Sequence, residues 1–187
     1  MRAFLAIGLP DGVRRAATDA ARALALSEAD WRLVREDGLH VTIRFLGECD
    51  DADRSRLDAA WRAAASGIGP VPLRLRGAAA LPAARRPRVI RLGVDDCGGV
   101  GALAALAARI EHTARTSGFP PERRPFSPHV TLARARGDGA RVPSLSDVDV
   151  VGEFLAAKLT LFRSELGSGG ARYYEEGSFP FSGGTVA

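Results

Sequence analysis

The sequence predicts an α+β fold in which two similar lobes share one cleft. Segments that alternate with period two are interleaved with segments of helical spacing. The order strand, helix, strand, His-strand over residues 2–46 is echoed as strand, helix, His-strand over residues 87–134. The triplet His-Val-Thr opens a strand twice, at His40 and again 89 residues later at His129. The whole of 1–187 is therefore read as a single bilobal domain, each lobe lending one histidine strand to the cleft.

RAFLAIGL, bounded by Pro10, reads as a buried strand. Val13, Ala17, Ala20, Ala21 and Leu24 then recur at helical spacing and predict a helix from Asp11 to about Leu26. WRLV, residues 31–34, is a short strand, and Glu36-Asp37-Gly38 turns the chain toward His40. The His40–Leu46 strand ends at Gly47, and Asp50-Asp51-Ala52-Asp53 supplies cap and first-turn acids for a helix to about Ala65. VPLRLRG, 71–77, and PRVIRLGV, 87–94, alternate as strands across a loop rich in Pro and Arg. Residues 100–117 form the clearest helix, closed by Gly118 and Pro120. FPPERRPFSP is held extended by proline and leads into His129. Beyond a surface loop at 137–147, strands are predicted near 148–154, 157–164 and 171–179, the last two joined by a turn from Gly167 to Gly170.

A hydrophobic fraction of 46% with 26% charged residues is that of a globular chain. The formal charge of +4 comes from arginine, since Lys158 is the only lysine; this permits a phosphate or nucleic-acid partner without demanding one. Cys49 and Cys97 are too few and too far apart for a disulfide framework or a four-ligand zinc site, and read as reduced thiols. MRAFLAIGLP lacks the flanks of a signal peptide, and no apolar run approaches the 18 or so residues that span a bilayer. A cytoplasmic monomer with no membrane contact is expected.

In a strand, residues i and i+2 share a face. His40 therefore points with Thr42 and His129 with Thr131, while Val41, Ile43, Val130 and Leu132 face the opposite side. Two imidazoles across a cleft suit the removal of a proton from a nucleophile and its delivery to a leaving group, with threonine hydroxyls holding phosphoryl oxygens. Metal ligation needs a third ligand, and the polar faces of these strands carry no carboxylate or thiol, so no metal and no other cofactor are expected. The phosphate loop of nucleotide hydrolases, the dinucleotide glycine fingerprint and the nucleophile elbow are all missing.

HVTIRFLGE and RRPFSPHVTLAR resemble the two signature motifs of the 2H phosphoesterase superfamily, in its bacterial and archaeal RNA 2',3'-cyclic phosphodiesterase branch, also called 2'-5' RNA ligase. MRAFLAIGLP, WRLVREDGLHVTIRFLGE and LTLFRSELGSGGARYYE extend the resemblance over nearly the whole chain. It implies a bilobal fold with antiparallel sheets around a central cleft. It also implies metal-independent opening of an RNA 2',3'-cyclic phosphate to a 2'-phosphomonoester, and reversible formation of 2'-5' bonds between tRNA halves. The first motif maps onto His40 and Thr42, the second onto His129 and Thr131. His129 is assigned as general base and His40 as general acid.

Period two places Arg44 on the polar face of its strand, as a phosphate or RNA-backbone contact. Arg134 should point away from His129 unless its strand bulges, although the family pattern carries an arginine there. Arg123 and Arg124, with Arg85, Arg86 and Arg88, lie in loops before strands and are candidates for flanking phosphates. Phe126 is a candidate to stack on the terminal base. His112 reads as a helix-face residue, and Trp31 and Trp61 as packing groups. Two other readings stand beside the first: a phosphodiesterase for a small cyclic nucleotide or ADP-ribose cyclic phosphate, and a protein that only binds RNA ends. An open, arginine-lined rim favours RNA and a lidded pocket favours a mononucleotide.

Overall fold

A computed structural model describes residues 1–98, 101–167 and 170–183. The strands are β1 (Arg2–Gly8), β2 (Trp31–Leu33), β3 (His40–Glu48), β4 (Val71–Leu81), β5 (Val89–Asp96), β6 (His129–Ala135), β7 (Val150–Ala156), β8 (Lys158–Gly167) and β9 (Gly170–Pro180). The helices are α1 (Asp11–Ala23), α2 (Asp51–Ala65) and α3 (Ala102–Thr116). Each matches an element predicted from the sequence. The start of the third helix at Val100 and the turn residues Ser168-Gly169 lie outside the described residues.

The strands form one antiparallel sheet in the order β7-β4-β5-β6-β3-β1-β8-β9, with β2 paired to β6. Read outward from the centre, β3-β1-β8-β9 and β6-β5-β4-β7 are equivalent runs, so the duplication expected from element order appears as a pseudo-two-fold arrangement. The two runs meet through a single register pair, Val41 with Val130, inside the two histidine motifs.

Helix sequences explain the layer outside the sheet. Val13, Ala17 and Ala21 are the buried stripe of α1, four residues apart on one face. A capping box closes the first turn of α2: the Asp50 carboxylate accepts from the Asp53 amide at 2.7 Å and Asp53 reciprocates. Leu103, Leu106, Ala107, Ile110 and Ala114 are the buried face of α3. The helices cross between halves: α1, from the first half of the chain, packs on β7 and β6 of the second, and α3, from the second, packs on β3 of the first. Trp31 and Trp61 are buried as packing groups, and the Trp31 indole donates to the carbonyl of Arg141 at 2.8 Å. Cys49 is buried, Cys97 is exposed and both are free thiols. Among the described residues, no helix is long and apolar enough to cross a membrane.

Candidate active site

Around the Val41–Val130 pair the antiparallel register, continued one residue either way, sets His40 beside Thr131 and Thr42 beside His129. The histidines are then the diagonal pair on one face, about 7–8 Å apart between backbones, which leaves room for a phosphoryl group between the rings.

Both rings are held in the same way. His40 Nδ1 lies 2.9 Å from the carbonyl of Gly38, and His129 Nδ1 lies 2.8 Å from that of Ser127, each two residues earlier in the chain. A carbonyl only accepts, so Nδ1 carries the proton in both neutral rings and Nε2 presents its lone pair. His40 Nε2 lies 3.0 Å from Thr42 Oγ1, and with that tautomer the hydroxyl donates to the ring. Among the described residues His129 Nε2 has no such partner.

The environments differ. His40 is packed between aromatic rings, with Phe4 at 4.7 Å and Tyr173 at 5.0 Å between centroids. Desolvation dominates and lowers its pKa to about 4; the Gly38 carbonyl opposes this, while the Arg134 and His129 charges add to it. His129 is more open and is lowered too, first by burial, then by Arg91 and Arg134 against the Ser127 hydrogen bond. His40 is thus neutral in the folded protein where an unfolded chain would begin to protonate. As pH falls from 6.5 toward 4 the unfolded chain takes up this proton first, so stability present above that window is lost through it, by about 3 kcal/mol in total. Urea denaturation at pH 7 and pH 4 should show that loss in the wild type, and a His40→Asn protein should lack that share of it.

A bulge recurs at the same place in both motifs. Along β1 the partners step from Arg44 to Thr42 and pass over Ile43; along β5 they step from Ala133 to Thr131 and pass over Leu132. The alternation therefore reverses one residue after each pair of polar side chains. Ile43 and Arg44 both face the core, as do Leu132 and Ala133, while Phe45 and Arg134 are exposed.

This corrects the expectation for Arg44. Its side chain is buried and reaches away from the cleft, with Nε 2.6 Å from Glu111 of α3 and further donations to the carbonyls of Phe45 and Pro120. The same bulge turns Arg134 toward His40, the outcome for which the sequence reading set a bulge as the condition. Arg123 and Arg124 are exposed, as are Arg85 and Arg86, and Arg88 pairs with Asp138 at 2.7 Å. Phe126 packs against the hydrophobic core rather than standing free to stack on a base. His112 is on the outer side of α3, with no part in the cleft.

Two cleft residues escaped the sequence reading. Arg91 pairs in register with Thr131, and its charge acts on His129. Its alternation with Ile90 and Leu92 was visible in PRVIRLGV, but the strand it lies beside was not. Phe45, 56% exposed, stands on the cleft side only because of the bulge. Among the described residues no group of three or more His, Cys, Asp or Glu side chains could hold a metal ion.

The family model described as LigT like Phosphoesterase matches residues 7–91 and 98–173. An RNA 2',3'-cyclic phosphodiesterase of Methanothermobacter thermautotrophicus is 30% identical over 179 residues, covering 92% of this chain and 95% of that protein. One of the same description from Thermus thermophilus is 32% identical over 145 residues, covering 76% of this chain and 73% of that protein. Among solved structures, a Thermus thermophilus protein superposes with a TM-score of 0.79 at 31% identity, covering 98% of this chain and 99% of its own. E. coli LigT complexed with 3'-AMP superposes with a TM-score of 0.78 at 27% identity, covering 96% and 97%.

Proposed function

This chain belongs to the LigT-like phosphoesterase family, and on that premise we propose that it hydrolyses RNA ends bearing a 2',3'-cyclic phosphate to 2'-phosphomonoesters, without a metal, using His40 and His129 as acid and base. The observation that carries the reading is the pair of imidazoles on one cleft face, each fixed through Nδ1 to a carbonyl two residues back, with Nε2 left for chemistry.

The surroundings of each ring support this division of roles. His129 is the more open and its Nε2 is unpartnered among the described residues, so it takes the proton of an attacking water. As the water oxygen bonds to phosphorus, the bond to the 3' oxygen breaks on the opposite side, and His40 Nε2 delivers a proton to that oxygen. A depressed pKa makes His40 the stronger acid once the anionic substrate has drawn a proton onto it. With Nε2 protonated and its N–H aimed at the 3' oxygen, Thr42 Oγ1 can no longer donate to the ring, and its O–H is released to a phosphoryl oxygen. Thr131 and Arg91 hold the other nonbridging charge. Joining tRNA halves or other RNA ends through a 2'-5' bond keeps these roles, with a 5'-hydroxyl in place of water attacking phosphorus as the 3' oxygen leaves; cleavage of that bond exchanges them.

The test is turnover, with EDTA present, of a short RNA ending in a 2',3'-cyclic phosphate, with 2'- and 3'-phosphate products resolved. Exclusive 2'-phosphate supports the reading; 3'-phosphate, or no turnover of any cyclic phosphate, overturns it. The active form carries one proton on the pair. Below about pH 4 both rings are charged and the base is lost, and above the pKa of His129, which lies below 6.5, both are neutral and the acid is lost. The kcat/KM profile should therefore be a bell with both limbs below pH 6.5.

A further inference from the structure

On the His40 side of the cleft, a groove of about 520 Å³, lined by His40 and not by His129, runs between β1, β2, β3, β6 and the end of the β8–β9 hairpin. It is in the size range of small-ligand sites, roughly 300–1,000 Å³. Its wall holds three of the large apolar side chains that the protein leaves exposed: Leu33 at 40%, Phe45 at 56% and Leu166 at 74%. It also holds Arg2, Arg32 and Arg134. Arg35, at the same rim, is paired with Asp37, but among the described residues none of those three arginines has a carboxylate within ion-pair distance.

Arg32 and Arg134 are moreover direct cross-strand partners in the β2–β6 register. Like charges set opposite one another destabilise a sheet unless an anion lies between them. Apolar rings beside unpaired arginines are the combination that takes unstacked bases and their phosphates. The chemistry of the proposed reaction gives the direction. The 3' oxygen leaves toward His40, so the ribose that carries it lies on the His40 side, and an RNA with a cyclic 3' end can extend only upstream from there.

We propose, resting on the hydrolase reading above, that this groove holds the unpaired 3'-terminal nucleoside against Phe45 and Leu33, with the phosphate that links it to the preceding nucleotide between Arg32 and Arg134. The protein then selects single-stranded RNA chains over cyclic mononucleotides, and Arg2 receives the next phosphate upstream.

The experiment compares kcat/KM for a trinucleotide ending in a 2',3'-cyclic phosphate with that for a nucleoside 2',3'-cyclic phosphate. In the wild type the ratio should be tens-fold or more. Arg32→Ala and Phe45→Ala should each lower it about tenfold, with Phe45→Trp restoring it. The ratio should fall with added salt in the wild type and less steeply in Arg32→Ala. Arg32→Ala should melt no lower than wild type, because it relieves the facing charges, and this separates lost binding from lost folding. A wild-type ratio near one, or a high ratio that survives both substitutions, overturns the proposal. If no cyclic phosphate is turned over, the hydrolase reading fails instead. The groove is then read by fluorescence anisotropy of a labelled trinucleotide with a 2'-phosphate end: affinity lost in Arg32→Ala upholds the groove, and affinity unaltered there overturns it.

Discussion

Alanine at His40 or at His129 should each lower kcat/KM for an RNA cyclic phosphate by about 10²–10⁴-fold, the range for loss of a positioned acid or base. Both substitutions together should cost far less than the product of the two, because the rings act as a unit on one phosphorus. The two single variants should also differ in kind. With a bridging sulfur in place of the 3' oxygen, the leaving group departs as a thiolate and needs no proton. His40→Ala should then regain most of its lost rate and His129→Ala should not. Rescue of His129→Ala instead would exchange the roles assigned to the two rings. Neither change should unfold the protein: His129 is held by one carbonyl hydrogen bond, and His40, although it also meets Thr42 and two aromatic rings, borders the cleft.

The second large effect is on stability, far from any reacting atom. Glu111→Ala should cost about 3 kcal/mol, read as a shift of the urea midpoint at unaltered slope. Arg44 is 7% exposed, and its charge is balanced chiefly by Glu111. Removing the carboxylate leaves the guanidinium in the core with two carbonyls and only the more distant, more exposed Glu122 carboxylate at 3.9 Å, and a buried charge stripped of its main counter-charge is the costly case. Glu111 also accepts from the amide of Glu122 at 3.1 Å, in the proline-rich segment that delivers His129. The variant should therefore lose kcat as well, by a smaller factor than the histidine variants. Arg44→Met combined with Glu111→Leu should recover most of the stability, since apolar groups of similar volume remove the charge and its demand together.

Much of this was legible in the sequence. Alternation located the strands, the Asp50–Asp53 pair announced α2, and the repeated His-x-Thr marked the two central strands that carry the candidate site. The bulges were not legible, because a bulge is a relation between two strands and one strand's own residues do not encode the count on its neighbour. Period two therefore sent Arg44 to the cleft, where the structure puts Phe45. The groove wall could not be read either. It is assembled from residues near 2, 32, 45, 134 and 166, brought together by strand order alone, and no local pattern joins them. Arg32 and Arg134 look like ordinary surface arginines until the β2–β6 register sets them face to face.

The exchange of helices bears on how the molecule can move. A hinge forms where few contacts cross a boundary, and the sheet alone, joined by Val41–Val130 and by the three register pairs of the short β2 with β6, offers only a narrow seam. Here α1 straps across to β7 and β6 while α3 straps back to β3, with Val13 seated over Gly152. Each half is buckled to the other by its own helix. Swinging the halves apart would break the packing of both helices, so the spacing of the two imidazoles is set by the fold before any ligand arrives.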